Sequence, residues 1–542
     1  MDMPACQMRA FLSISSHLRL PHAPRMIAGE SIYQGDASTI SGRIWFAMLA
    51  IVTLVFSRGM VVVSDAESAT ESGVPDQTHY DVVLIGSEIE GIYLAQAAME
   101  EGLSVCILDP RDQPGGQLIQ GEMLFLDEPV NDAGRSLLQG RVKELFDRYK
   151  QGDIRKPAEF KRYYDALIEG IPIESGVAIQ AVEIVQAPSG SRRSVGTITY
   201  STKEGEMKRI TASYYVENTD HAALTSRLGL KRIPGIETIF GGGQKEYMAA
   251  TFMMNFRNVD WDRFRREVMN LPVSERERKY GSGTTVTPLA TWGFGHVGRS
   301  YTPSSEEWML RGLNIVNQRD GEAAINALLA YDVDPTDPAS VQKAIDEGKR
   351  ETQRVLLHFR QTLPGWEQAE MNGYPSYLYV RDCDRYETEY VMQGTDLMRG
   401  AMFRDNVSIA GYAIDLQGTK LRRWGMHKGK PDQYGMPLRS FLSKGYDNVV
   451  VAGKAVGASA VAYGSARIQP NTALAAEVIG VMLGKLGGER KLIDLSEEQI
   501  ASLQQYVELK RGIALTDIQG ANKVVGFTAW QERQFNESLL AG

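Results

Sequence analysis

The stretch YDVVLIGSEIEGIYLAQAAMEEGLSVCILD, residues 80–109, decides the fold. Tyr80 to Ile85 is a short apolar run, rich in β-branched residues, that ends at a glycine. Such a run predicts a strand buried on both faces of a parallel sheet. Helical spacing follows from Gly91 to Glu101, with Ile92, Ala95 and Met99 on one face. Gly102 then turns the chain into a second strand, Ser104 to Leu108, which closes on Asp109. Strand, glycine turn, helix, strand and acid in that order predict a Rossmann-type dinucleotide unit. Gly86 permits the tight turn and Gly91 lets the helix lie close to the strand. A diphosphate would rest on the helix N-terminus beside Ser87 and Glu88, where free N–H groups and the helix dipole favour an anion. Asp109, followed by Pro110 and Arg111, is placed to accept from a ribose hydroxyl.

One residue breaks the G-x-G-x-x-G pattern: its middle glycine is Glu88 (GSEIEG). A carboxylate beside a diphosphate repels it unless the side chain points away, so an αβ unit without a nucleotide competes as a reading of this motif alone. Pro114-Gly115-Gly116, just beyond the second strand, separates the two readings. A double glycine there lets backbone pass close to the phosphate and ribityl chain of a flavin, an approach that an NAD domain does not need.

With those residues in view, the chain resembles the bacterial FAD-dependent oxidoreductases of the glutathione-reductase-like superfamily, in the group with a GGTPAG- or GSEPEG-like first turn. DPRDQPGGQL (109–118) resembles the second strand and flavin loop of that group. YYVENTDHAALTSRLG (214–229) resembles its return strand, with Asp220 and His221 where Gly and Asp are usual. LNIVNQRDGEAAINALL (313–329), EGKRETQRVLLHFRQTLPGW (347–366) and YVRDCDRYETEYVM (379–392) resemble its middle region, with Arg381 and Arg385 as its arginine pair. MPLRSFLSKGYDNVVVAGKAVGASAVAYGSARIQPNTALAAEVIG (436–480) resembles its C-terminal signature in order and spacing. There Asn448 to Ala452 predicts a buried strand, Gly453 a close approach to the cofactor, and Arg467 leads into a helix opening near Pro470.

The resemblance implies one FAD in an α/β, Rossmann-type domain of the glutathione-reductase-like class. That domain is split in sequence, with an inserted α+β substrate domain. The expected organisation is 79–220 and 410–487 for the FAD domain, 221–409 for the substrate domain, and a C-terminal helical tail at 488–542. In the tail, Ser496 and Gln499 have capping-box spacing. Gly241-Gly242-Gly243 reads as a turn, so no NAD(P) domain is expected and electrons enter from the substrate.

The 542 residues, 43% hydrophobic and 23% charged, describe a large globular protein. A formal net charge of −8 argues against nucleic acid as a partner. The three cysteines exclude a disulfide framework, and no His/Cys/carboxylate cluster has metal-ligand spacing. Cys106 reads as a buried thiol in VCIL; Cys383, among charges in RDCDR, leaves a reactive role open. Residues 1–66 read as a leader with a signal peptide around the apolar run Ile44 to Phe56, and 67–78 as a linker. Export by cleavage is the expectation; a membrane anchor at 44–63 competes, with Arg58 costing about 2.5–3.5 kcal/mol on insertion.

An FAD-dependent oxidoreductase with a small organic substrate as partner is the expectation, with an electron acceptor that the sequence does not name; a flavin- or nucleotide-binding protein without turnover and a membrane-associated electron-transfer flavoprotein compete. If the substrate is an alcohol or amine, a base is needed to take its proton. His427 (WGMHKGK) and His296 (GFGHVGR) lie in glycine-rich loops and are the candidates, each against a plain surface role. Arg381 and Arg385 are read either as having an ion-paired surface or interdomain role, or as binding an anionic substrate group or the flavin. Tyr412 and Asp415 could face the flavin or simply pack.

Overall fold

Residues 80–109 form the unit their pattern predicts in a computed structural model of the protein, which describes residues 77–187, 190–241, 243–487 and 490–537. Strands β1 (Gln77–Ile85) and β2 (Val105–Asp109) pair in parallel, Val82 opposite Val105 and Ile85 opposite Leu108, with helix α1 (Ile89–Glu100) between them in sequence. Val82 to Ile85 are fully buried, each such side chain stabilising the fold by about 1.5–3 kcal/mol.

Strands β3 (Ile173–Ser175), β4 (Ala178–Gln186), β5 (Arg193–Ser201) and β6 (Met207–Glu217) complete a Rossmann-like sheet in the order β3-β2-β1-β6-β5-β4. The first four strands in that order run parallel, while β4, β5 and β6 make an antiparallel meander. β6 serves two neighbours in turn. Its first half pairs with β5 as far as Thr211, and its last three residues take the strand Val449–Val451 in parallel. The long helix Gln469–Leu486 then packs along α1. Gly480 makes this possible, because a Cβ there would collide with the Leu94 carbonyl.

The segment between these two ends holds a second sheet of seven antiparallel strands. At its centre, Ala250–Arg257 pairs with Glu322–Ala330. The 25-residue helix Pro338–Thr362 crosses it, with Gly348 close above the Phe252 ring and Phe359 edge-on to Phe256. Sequence reading finds helices in this region but underrates its strands. Glu322–Ala330 (EAAINALLA) is rich in helix formers, yet eight of its nine residues are buried in the sheet. Burial on both faces removes the alternation by which a strand is recognised.

Ser496 caps the helix Glu497–Arg511 in the expected capping box with Gln499. Gly241 ends the short helix Glu237–Phe240 with φ +75°; Gly242 lies outside the described residues. So do the leader, with its signal-peptide and anchor readings, and the linker up to residue 76. Among the described residues no helix is long and apolar enough to cross a membrane. Cys106 and Cys383 are buried free thiols, and burial pushes Cys106 up to about 11 and Cys383 further still. A reactive role for Cys383 is therefore corrected: its charged neighbours in sequence do not expose it.

Candidate functional site

Two clusters of buried charge flank the first turn of α1 and the start of the helix Gln469–Leu486. In the first, Gly86 has φ +93°, and a Cβ on Gly91 would run into the Asn218 side chain. No side chain caps α1. Its N-cap is Glu88, only 2% exposed, whose Oε1 accepts from Arg111 Nη1 at 3.0 Å and whose Oε2 accepts from Gln117 N–H at 2.9 Å. Glu88 is thus turned over Gly116, towards the double-glycine loop, and Lys454 Nζ lies 3.7 Å away. Gly115 and Gly116 have φ +123° and +54°.

Asp109 is fully buried: it accepts from the Ser87 hydroxyl and from Arg111 N–H at 2.9 Å. Asp220 accepts from His221 Nδ1 at 3.1 Å; burial works to raise it, but His221, Lys454 and Arg111 hold it well below the usual carboxylate range. Glu90, in the first turn of α1, is pushed up to about 7 by burial and by Glu88 nearby. Arg111 Nη2, Asn218 Oδ1 and Glu90 Oε2 are buried without a hydrogen-bond partner.

The second cluster lines a cavity between Gln117, Asp127, Tyr379, Arg381, Lys454, Arg467 and the helix start at Gln469-Pro470. That 18-residue helix has no side-chain cap and carries Pro470 in its first turn. Lys454 Nζ donates to Gln117 Oε1 at 2.8 Å and to the Val380 carbonyl at 3.0 Å. Arg467 is 5% exposed and donates to the Tyr379 hydroxyl and the Asp415 carbonyl, each at 3.3 Å, while its Nε has no partner. Arg381 donates to Thr251 Oγ1 at 2.6 Å and to the Ala249 carbonyl, with its guanidinium over the Tyr379 ring.

Burial, with Arg311 and Arg467 close by, lowers Arg381 to about 10. Burial likewise pushes Asp127 up to about 6, beside the Tyr412 hydroxyl and against the pull of Arg311 and Arg467. Asp415 goes the other way: burial works to raise it, but Arg467 and His427 hold it below the ordinary carboxylate range.

The structure therefore gathers Gly86, Ser87, Glu88, Gly91, Asp109, Pro110, Arg111, Gly115, Gly116 and Gly453 around one turn. Arg381, Arg467 and Pro470 meet at the cavity. The surface reading of Arg381 is corrected, since only 2% of it is exposed. The same holds for Arg385, which pairs with Asp382 at 2.9 Å and stacks 3.6 Å above the Tyr463 ring. The two histidines stand apart from the cavity lining. His296 is exposed and contacts the Arg278 carbonyl at 3.1 Å. His427 has a 70%-exposed side chain, 3.8 Å from Asp415 Oδ1.

Sequence reasoning passed over Glu90, Gln117, Asp127, Arg311, Tyr379 and Lys454. Gln117 and Lys454 adjoin predicted glycines, and Tyr379 is two residues from Arg381, so position alone pointed to these three. Asp127 sits in an irregular stretch with no periodicity to read.

A Rossmann-like sheet with an open helix N-terminus and a double-glycine loop defines a nucleotide-binding α/β enzyme class. The model of the FAD-dependent oxidoreductase family matches residues 81–486, and the chain belongs to that family. Its cofactor is FAD. No curated protein sequence matches it. Among solved structures it is similar to the myxobacterial chondrochloren halogenase, at 12% identity over 80% of each chain with a TM-score of 0.35. A geranylgeranyl bacteriochlorophyll reductase-like protein from Thermoplasma acidophilum is 11% identical over 86% of this chain and 89% of that one, TM-score 0.35. A flavoprotein/dehydrogenase from Cytophaga hutchinsonii is 12% identical over 80% and 84%, TM-score 0.35.

The residues present fit FAD. The uncapped turn of α1, the free Arg111 Nη2 and the glycine cradle suit its diphosphate, and Glu88 is neutralised by Arg111 rather than aimed at the helix N-terminus. Gln117, Lys454 and the N-terminus of the helix Gln469–Leu486 would hold the ring system.

Proposed function

We propose that this enzyme oxidises a small organic molecule bound in the Asp127–Arg467 cavity. When bound, FAD supplies the acceptor for a hydride from a substrate carbon. The protein's own part begins with Asp127, which accepts the proton released from the substrate oxygen or nitrogen. A carboxyl at about 6 is ionised at neutral pH yet basic enough to take a proton in the transition state. Tyr412 holds Asp127 in place, and Arg467, braced by Tyr379 and Asp415, fixes the cavity wall. Phe125, Leu126 and Phe146 line the same cavity and exclude water from it. The N-terminus of the helix Gln469–Leu486 favours negative charge developing beside it.

The observation that carries this reading is the single cavity shared by the flavin-loop residue Gln117, the helix start at Pro470 and the base Asp127. Anaerobic mixing of the yellow protein with panels of alcohols, amines and hydroxy acids tests it. Bleaching by at least one class is expected, and a flavin that none of them reduces counts against it.

The same reading assigns the sheet to the glutathione-reductase-like class, with its FAD domain formed from 79–220 and 410–487 and a substrate domain at 221–409. The pairing of Val449–Val451 with β6 supports that assignment. Export follows from the leader alone, and N-terminal sequencing of the mature protein tests it.

A further inference from the structure

The cavity's charges do not cancel. Arg311, Arg381 and Arg467 stand within electrostatic reach of one another, and Asp127 and Asp415 face them, while Asp382, also near Arg467, is balanced by its own pair with Arg385 at 2.9 Å. Lys454 lines the cavity as well, but its charge is compensated by Glu88, Asp220 and Glu90 of the neighbouring turn. Three guanidiniums against two carboxylates leave one positive charge beside a buried wall. Unbalanced charge in a low-dielectric site costs free energy unless a counter-ion enters.

The hydrogen bonds agree with the count. Arg467 Nε and Arg311 Nε are buried with no acceptor. Arg311 is otherwise held by Gln417 Oε1 at 3.2 Å and by the Asn326 carbonyl and side-chain oxygens at 3.3 Å, all neutral acceptors. Arg381 likewise gives one donor to a carbonyl and one to a hydroxyl, both neutral, and keeps further N–H groups for a ligand. Two of these arginines therefore have no carboxylate of their own, although guanidinium is the side chain best shaped to bind one.

We propose that the substrate is an organic acid whose carboxylate is held by Arg381 and Arg467, with Arg311 behind them. This rests on the oxidoreductase reading above and narrows it. One surplus charge matches a monoanion. A phosphate ester, with close to two negative charges at neutral pH, would leave the site over-compensated. The acid group anchors one end of the molecule, which leaves the oxidisable carbon and its proton free to meet Asp127.

Benzoate and its neutral counterpart benzamide are the probes, titrated into the holoprotein while flavin absorbance and binding heat are both followed. Benzoate is expected to bind saturably, at least about tenfold more tightly than benzamide, the factor that about 1.4 kcal/mol of charge recognition supplies. Arg381→Met is expected to erase that preference and Arg311→Gln to reduce it, with FAD content per chain unchanged in both. Arg381→Lys should keep part of it. Arg311 is only half-buried, so its variant keeps the test alive if Arg381→Met does not fold. Equal binding of the two probes, tighter binding of inorganic phosphate than of benzoate, or wild-type preference in both variants overturns the proposal. A colourless protein that still prefers benzoate by calorimetry would sink the flavin reading and leave the carboxylate site standing.

Discussion

The turn of α1 and the cavity at Arg467 lie side by side and carry opposite imbalances. Around the turn, Glu88, Glu90, Asp109 and Asp220 share two cations, Arg111 and Lys454. In and just behind the cavity wall, Arg311, Arg381 and Arg467 share Asp127 and Asp415. The turn answers its excess by protonation: Glu90, beside Glu88, is pushed up to about 7. The cavity has no such outlet, because a guanidinium stays protonated throughout the physiological range. A molecule that places a diphosphate at the acidic turn and an organic acid at the basic cavity must therefore relieve the first with protons and the second with substrate.

The comparison breaks most visibly at Gly91. Gly91→Val should abolish FAD retention, because its side chain would have to displace Asn218 and part α1 from the sheet; flavin absorbance per purified chain measures this. A variant that stays yellow would place the diphosphate elsewhere.

Asp127→Asn comes next. It should slow flavin reduction by about 10²–10⁴-fold, the usual contribution of a general base, with FAD content unchanged. The wild-type rate should rise as pH rises through about 6, because Asp127 accepts a proton only once its carboxyl is ionised. Stopped-flow reduction across pH shows whether the Asn variant loses that limb.

Glu90→Gln sharpens the contrast from the other side. Below about 7 the wild-type carboxyl is protonated and neutral; above it, a charge stands in the first turn of α1, where the diphosphate is proposed to rest. FAD binding by the wild type should weaken as pH rises through that value. The Gln variant should bind about tenfold more tightly than wild type at pH 8, as expected for one pK unit of interaction, and equally at pH 5. Reconstitution titrations at the two pH values decide it.

His427→Ala should have the smallest effect. Its exposed ring reaches the cavity only through Asp415, so a loss in reduction rate below about threefold is expected. A loss within the range of a true base would return the role to His427.

The turn was largely legible in the sequence, because a tight turn needs glycine and a buried strand needs an apolar run. Both demands fall on consecutive residues of 80–109 and 448–470. Glu88 looked like an obstacle only because its partners Arg111 and Lys454 are distant in sequence. The cavity was half legible. Arg381 and Arg467 stood in recognisable motifs, whereas Asp127 and Arg311 belong to stretches whose local pattern carries no chemistry and reach the site through tertiary packing. The histidines were undecided in the sequence for a related reason: a glycine-rich loop can present a side chain to a ligand or to water, and sequence does not separate the two.

The strand Val449–Val451 has a consequence for how the protein is made. Translation at about 5–20 residues per second leaves the start of the fold waiting roughly 20–70 s before the helix Gln469–Leu486 emerges to cover α1. For part of that interval, roughly 12–46 s between the synthesis of β6 and that of Val449, the end of β6, Tyr215 to Glu217, has an unpaired backbone edge that any passing strand could zip onto. Cofactor loading is thereby postponed to the close of synthesis, and a truncated chain would expose that edge permanently.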